Sequence, residues 1–282
     1  MRAHRHPLFL KSYGLFPHRL LNRAVGALCR VRQPQPAVQA AIRLWIRRGG
    51  IDMAPFEPRP FATVEDFFLR TLRPGARPIG AGIVSPCDGI LVAHGRIGSD
   101  AVLHIKGKPV SLHRLVNGRQ HDLDLAHFDG GCQVTVFLTP DGYHHVHAPL
   151  AAELVDVRWI QGRFFPQNDD ALRHIPRVYE RNERATLRLR IADRSDREVL
   201  LVMVGASLVG GIELDTAQRS AWVGPKAHPL HESLAKGQRL GHFSFGSTVV
   251  LLFPRGMVDQ VLPAIGAVVR MGERLATVVD DA

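Results

Sequence analysis

Cysteine is scarce in this chain: three in 282 residues, Cys29, Cys87 and Cys132. None has a Cys-x-x-Cys partner, which excludes a zinc ribbon and a disulfide framework and fits a reducing compartment. Long apolar runs are missing too. The longest, Val199 to Ile212, has 14 residues, short of the roughly 18 to 20 that a membrane span needs. With Gly205, Gly210 and Gly211 inside it, the run reads as two buried strands around a turn. A signal peptide is not expected in residues 1–20, where Lys11, His18 and Arg19 interrupt any apolar core and no small-residue cleavage site follows. Acidic residues are absent from the first 50 positions, which carry ten Lys or Arg. The remainder balances 26 basic against 26 acidic residues. The net charge of +10 therefore belongs to an N-terminal arm, a distribution that argues against nucleic acid as the partner.

The arm has apolar faces as well as charge. Its spacing predicts a helix over His18–Val31 with Arg19, Arg23 and Arg30 within about 40° of one another and Leu21, Ala24 and Leu28 opposite. After the break at Pro34-Gln35-Pro36, a second helix puts Val38, Ala41, Ile42 and Trp45 on one side and Arg43 and Arg47 on the other. Basic faces beside Leu, Ile and Trp suit an interfacial helix on anionic lipid; the alternative is a solvated helix packed on the body. The expectation is a peripheral protein on the cytoplasmic face of the cell membrane, with residues 1–50 as the membrane-association arm and 51–282 as the body.

The body reads as β-rich α+β. Short strand-like runs recur between glycine, proline and charged turns: Gly89 to Val92, Gln133 to Leu138, Leu154 to Ile160, Ala185 to Ile191, Val199 to Val204 and Thr248 to Phe253. Before them, Val64 to Leu72 reads as a short helix with Thr63 as N-cap, Glu65 and Asp66 in its first turn, and Pro74-Gly75 at its end. Two similar stretches, Lys236 to Gly241 and Met271 to Ala276, each place a glycine turn before an apolar strand. That repetition suggests a barrel-like β-sandwich.

The chemistry centres on Gly246-Ser247-Thr248. Gly246 leaves its carbonyl open to approach, and the Ser247 hydroxyl could attack it if a base took the proton; the plain alternative is a turn entering a buried strand. Two other segments offer partners. Asp88, in Ser85-Pro86-Cys87-Asp88-Gly89, is an acid in a tight turn, and Tyr143 to Pro149 concentrates His144, His145 and His147. A zinc site is disfavoured: HExxH is absent, no third ligand is identified, and in an extended segment His144 and His147 point to opposite faces. No metal is expected.

Taken in order, these segments resemble phosphatidylserine decarboxylase, the pyruvoyl-dependent family that makes phosphatidylethanolamine. The resemblance rests on Phe67-Phe68-Leu69-Arg70, Gly75 to Ile79, Pro86 to Gly89, Lys106-Gly107 with Ser111-Leu112, and Tyr143 to His147. It continues through Asn182-Glu183-Arg184, Val204-Gly205-Ala206 with Val209-Gly210, and Lys236-Gly237 ahead of Gly246-Ser247-Thr248. Carried over residue by residue, it implies that Ser247 attacks the Gly246 carbonyl with His147 as base, held by Asp88. Elimination and hydrolysis then split the chain into 1–246 and 247–282, which stay associated, with Ser247 converted to a covalent pyruvoyl cofactor. That carbonyl would condense with the amine of phosphatidylserine as an imine and accept the electrons of decarboxylation. His144 would contact the carboxylate or return the proton.

The sequence departs from the family pattern in three places. Gly142 stands where Asp is common, His145 where Arg is common, and Phe245 where leucine or glycine is common; Asp141 sits one residue early. Three other classes compete. A serine hydrolase would lack its Gly-x-Ser-x-Gly elbow. A noncatalytic membrane-binding β domain would explain only arm and fold. A pyruvoyl enzyme acting on a soluble amino acid would have no use for the arm. Homo-oligomerisation is left open.

Overall fold

Ser247 to Phe253 and Val199 to Val204 are apolar without alternation because their strands are covered on both faces. Successive side chains of a strand point to opposite sides. Val249, Leu251 and Phe253 accordingly join Val199, Leu201 and Met203 in one core, while Val250 and Leu252 join Leu200, Val202 and Val204 in another. The computed structural model describes residues 18–118, 123–192, 194–207, 211–216, 227–244 and 247–279.

Both strands lie at the centre of an eight-stranded antiparallel sheet. Its order is His228–Leu234, Ala152–Ile160, Arg184–Ile191, Arg194–Gly205, Ser247–Phe253, Cys132–Leu138, Gly89–Arg96, Val268–Val269. All six strands read from the sequence are present, several extended by a few residues. On one face two three-stranded sheets pack. One holds Ile212–Leu214, Arg239–Phe243 and His145–His147; the other holds Ile83–Val84, Arg274–Val278 and Val258–Val261. On the other face lie the hairpin Val102–Ile105/Lys108–Ser111 and the helices Leu112–Asn117, Asp169–His174 and Val178–Arg181.

The architecture is thus β-rich α+β with sheet-on-sheet packing. No closed barrel forms among the described residues: the large sheet ends at His228–Leu234 and Val268–Val269, each paired on one side only. The two similar stretches do make matching turns. Gly237 and Gly272 both hold positive φ, 81° and 87°, and a Cβ on either would press on Ile79 Cδ1, at 2.6 and 3.0 Å.

The N-terminal helices are α1 (His18–Cys29) and α2 (Gln35–Gly49), followed by α3 (Val64–Phe68). Thr63 caps α3 as its sequence suggests, its Oγ1 accepting from Asp66 N at 2.9 Å. The helix stops at Phe68, short of Leu72, because Arg70 turns inward and Leu72 bridges Phe56. The apolar side of α2 is also not where the lipid reading puts it. Val38 and Ile42 are buried against Phe61 and Phe67, and Trp45 packs edge-on to Phe67 at 5.7 Å. The apolar residues left in solvent are Leu28, Val31 and Leu44, beside exposed Arg43, Arg47 and Arg48. No described helix is long and apolar enough to cross a membrane.

Candidate active site

Several strands finish at one end of the large sheet, and this gathers the residues singled out from the sequence. Ser247 faces Leu138 on one side and Gly205 on the other. Ile90 pairs with Phe137, which sets Asp88, just ahead of that strand, at the same end. His147 N donates to Pro86 O at 2.8 Å, joining the histidine segment to the Asp88 turn. Phe243 N donates to His144 O at 3.0 Å, so the strand that leads toward Ser247 runs past His144. Phe245 and Gly246 lie outside the described residues, as do Val209 and Gly210, and the expected scissile bond is seen only from its Ser247 side.

Ser247 is fully buried, and its Oγ has no hydrogen-bond partner among the described residues. A buried hydroxyl without a partner is costly, and one retained in a native fold calls for a reason beyond packing. His144 is likewise fully buried. Its Nδ1 lies 3.0 Å from Gly142 O, so that nitrogen carries the hydrogen and Nε2 the lone pair. Nε2 has no partner among the described residues, and the ring lies 3.8 Å from that of Phe68. Burial, reinforced by the Arg70 charge, pushes the imidazole down to about 3, so it is neutral at physiological pH.

His147 is neutral for a related reason. Burial holds it below the ordinary histidine value, against the opposing pull of the Gly237 carbonyl and the more distant Asp88 charge. Its Nδ1 donates to Gly237 O at 2.8 Å, and its Nε2 accepts from the Tyr143 hydroxyl at 2.9 Å. The ring therefore presents a basic Nε2 to a phenol.

Asp88 does not hold His147 by a hydrogen bond, contrary to expectation. Its carboxylate is occupied by Arg77 NH2 at 2.8 Å and by Met271 N at 2.8 Å, while His147 Nδ1 is committed to Gly237. Asp88 thus acts on His147 through charge alone. Nor does His147 bond Ser247 among the described residues; Tyr143 occupies the nitrogen that would do so.

The departures at 141, 142 and 145 find structural answers. Arg70 NH2 donates to Asp141 O at 2.6 Å and to Gly142 O at 2.9 Å, clamping the turn that orients His144. The Asp141 carboxylate accepts from Trp45 Nε1 at 2.6 Å, which ties α2 to the same turn. His145 donates to Leu69 O at 3.2 Å and stacks on Tyr143 at 4.9 Å, a buried ring where a charged arginine would be costly.

Sequence reasoning gave no role to Tyr143, Arg77, Gln167 or Asn182. Thr248 Oγ1 donates to Gln167 Oε1 at 2.6 Å, and Gln167 Nε2 donates to Gly205 O at 3.1 Å. Asn182 Nδ2 also donates to Gly205 O, at 2.9 Å. This amide pair pins both strands beside Ser247. The available signal was Gln167 itself, an amide directly after the apolar Phe164-Phe165-Pro166. Among the described residues no three His, Cys, Asp or Glu side chains are grouped to hold a metal ion, and the three cysteines are free.

Comparison with known proteins extends the picture beyond the site. A sequence model of the phosphatidylserine decarboxylase family matches residues 64–277. The phosphatidylserine decarboxylase proenzyme of Bordetella pertussis is 35% identical over 95% of this chain and 94% of its own length. Those of Chromobacterium violaceum and a Shewanella species are 34% and 32% identical, covering 96% and 94% of this chain and 99% and 95% of their own.

Proposed function

The chain belongs to the phosphatidylserine decarboxylase family, pyruvoyl-dependent carboxy-lyases made as self-cleaving proenzymes, and we propose that its reaction centre is built from Ser247, His147, Asp88 and His144. The observation that carries the assignment is the fully buried Ser247 Oγ, with no partner among the described residues, at the strand end to which both histidine-bearing segments are tied.

For self-cleavage, Ser247 Oγ bonds to the Gly246 carbonyl carbon as the Gly246–Ser247 C–N bond breaks, which turns the amide into an ester. His147 Nε2, kept neutral by burial, is the base, and the Tyr143 hydroxyl bonded to it must give way for it to take the serine proton. Asp88 favours the imidazolium that results, by charge rather than contact. Loss of the Ser247 Cα proton and cleavage of the Cβ–O bond release residues 1–246 as a carboxylate and leave dehydroalanine at 247. Its enamine isomerises, and water replaces the nitrogen as ammonia, giving the ketone that heads residues 247–282.

The site fits that ketone, since residue 247 is fully buried between Leu138 and Gly205 of the neighbouring strands. Once formed, the pyruvoyl group supplies the electron sink that loss of the carboxylate requires. His144, with its Nε2 unpartnered among the described residues, is the residue that contacts the substrate carboxylate or supplies the proton that replaces it.

Residues 1–50 are proposed as the peripheral membrane contact, on the cytoplasmic side, and 51–282 as the catalytic domain. The contact runs through Leu28, Val31 and Leu44 with Arg43, Arg47 and Arg48, since Val38 and Ile42 are committed to the body. Intact mass under denaturing conditions tests the centre. Two chains, 1–246 and a ketoacyl-headed 247–282, are expected, with cleavage blocked by Ser247→Ala, His147→Ala and Asp88→Ala. His144→Ala should cleave and decarboxylate poorly. Normal processing of His147→Ala would remove that residue from the role of base.

A further inference from the structure

Beyond the reaction centre, one concave feature among the described residues is lined by arginine. A cavity of about 800 Å³ opens between the Ala152–Ile160 strand end, the Leu112–Asn117 helix and the Val178–Arg181 helix, and Arg114, Arg163, Arg177, Arg181 and Arg184 line it. Glu180 is its one carboxylate, with one oxygen accepting from Ser111 N at 2.8 Å. Ser247 is not in its wall. Ser247 faces Gly205, the neighbouring Val204 faces Arg184, and Arg184 faces Ile160, so the nearest wall residue, Arg184, stands two strands and about 10 Å from Ser247 at about 4.8 Å per strand.

The fold holds these cations together. Arg184 is buried and spent on backbone, donating to Leu115 O and Asn182 O at 2.6 and 2.7 Å. Arg163 and Arg181 are joined through the main chain, Arg163 N to Arg181 O at 2.8 Å. That approach depends on Gly162, where a Cβ would lie 2.5 Å from Arg181 O. Arg181 stacks over Phe165 at 4.5 Å. The side chains of Arg114, Arg163 and Arg177 have no ion pair or hydrogen bond among the described residues. Like charges gathered in a concave, low-dielectric wall focus positive potential on whatever enters. Guanidinium forks recognise phosphate oxygens in pairs.

We propose that this cavity is a second ligand site, separate from the reaction centre, which binds a phosphate-bearing anion through Arg114, Arg163, Arg177 and Arg181. The volume suits a headgroup-sized molecule. A phospholipid headgroup, as a phosphodiester, and a soluble phosphomonoester share the chemistry the cavity reads, and an experiment separates them.

The full-length protein is titrated calorimetrically with inorganic phosphate, glycerol 3-phosphate and glycerophosphoglycerol. Saturable binding is expected, weakened by salt and by about tenfold or more in the Arg163→Gln/Arg177→Gln double variant, which loses two charge-assisted contacts. Tighter binding of the diester assigns a lipid headgroup, and tighter binding of the monoester a soluble ligand. A melting temperature unchanged without ligand shows that the variant folds; if it does not, Arg177→Gln alone, altering an exposed side chain, carries the same expectation at reduced size. Equal isotherms for wild type and a folded variant, or no saturation by any of the three probes, would overturn the proposal.

Discussion

Acid should destabilise the proenzyme through His144, and the size of the effect follows from its burial. The ring is held down to about 3 from an ordinary 6.5 because the charged form is denied water and faces Arg70. Between those values the unfolded chain binds a proton that the folded chain does not, so stability is complete above 6.5 and falls as pH drops toward 3. At pH 5 the loss spans one and a half units at about 1.36 kcal/mol each, roughly 2 kcal/mol. The measurement uses Ser247→Ala, which keeps all molecules uncleaved, with and without His144→Asn. Asparagine retains a donor for Gly142 O and has nothing to titrate. Urea unfolding at pH 7.5 and pH 5.0 gives each chain's loss of stability; other buried histidines contribute equally to both and cancel. The loss should be smaller by roughly 2 kcal/mol in the His144→Asn chain. An identical loss in both would show that His144 titrates normally, and the argument for a neutral ring at the reaction centre would fail with it.

Gln167→Leu should slow self-cleavage, because Thr248 loses its acceptor and Gly205 one of its two amide donors; the stability cost is about 1 to 3 kcal/mol. A cleavage time course on a denaturing gel equal to wild type would discount that buttress. Trp45→Phe keeps the ring contact with Phe67 but removes the hydrogen bond to Asp141, and decarboxylation by fully processed enzyme should fall while cleavage stays complete. An unchanged rate would uncouple α2 from the His144 turn. Replacing Arg43, Arg47 and Arg48 with Gln should weaken binding to anionic vesicles and blunt its salt dependence, at about 1 kcal/mol per charge. This substitution is preferable to deleting residues 1–50, which would expose Phe61 and Phe67. Vesicle affinity equal to wild type would move the membrane contact elsewhere.

Much of this protein is written locally. The strands were legible because burial on both faces leaves a continuous apolar run, and Thr63 because a cap needs only a hydroxyl three residues from an amide. The positive φ of Gly237 and Gly272 followed from turn chemistry in the same way. The arm was legible in composition but not in orientation. Periodicity shows that α2 has an apolar side; only the presence of Phe61 and Phe67 decides that the side faces protein.

The reaction centre divides along the same line. Ser247, His144, His147 and Asp88, the residues proposed to form it, were candidates by residue type, and their separate roles came from the family resemblance. Their bonds were not legible in the sequence. His147 finds Gly237 90 residues away, Thr248 finds Gln167 81 residues away, and Asp88 finds the amide of Met271 183 residues away. A hydrogen bond goes to whichever donor packing brings within about 3 Å, and no local pattern encodes which one that is. Burial, which makes both histidines neutral, is likewise a property of the assembled sheets rather than of any segment.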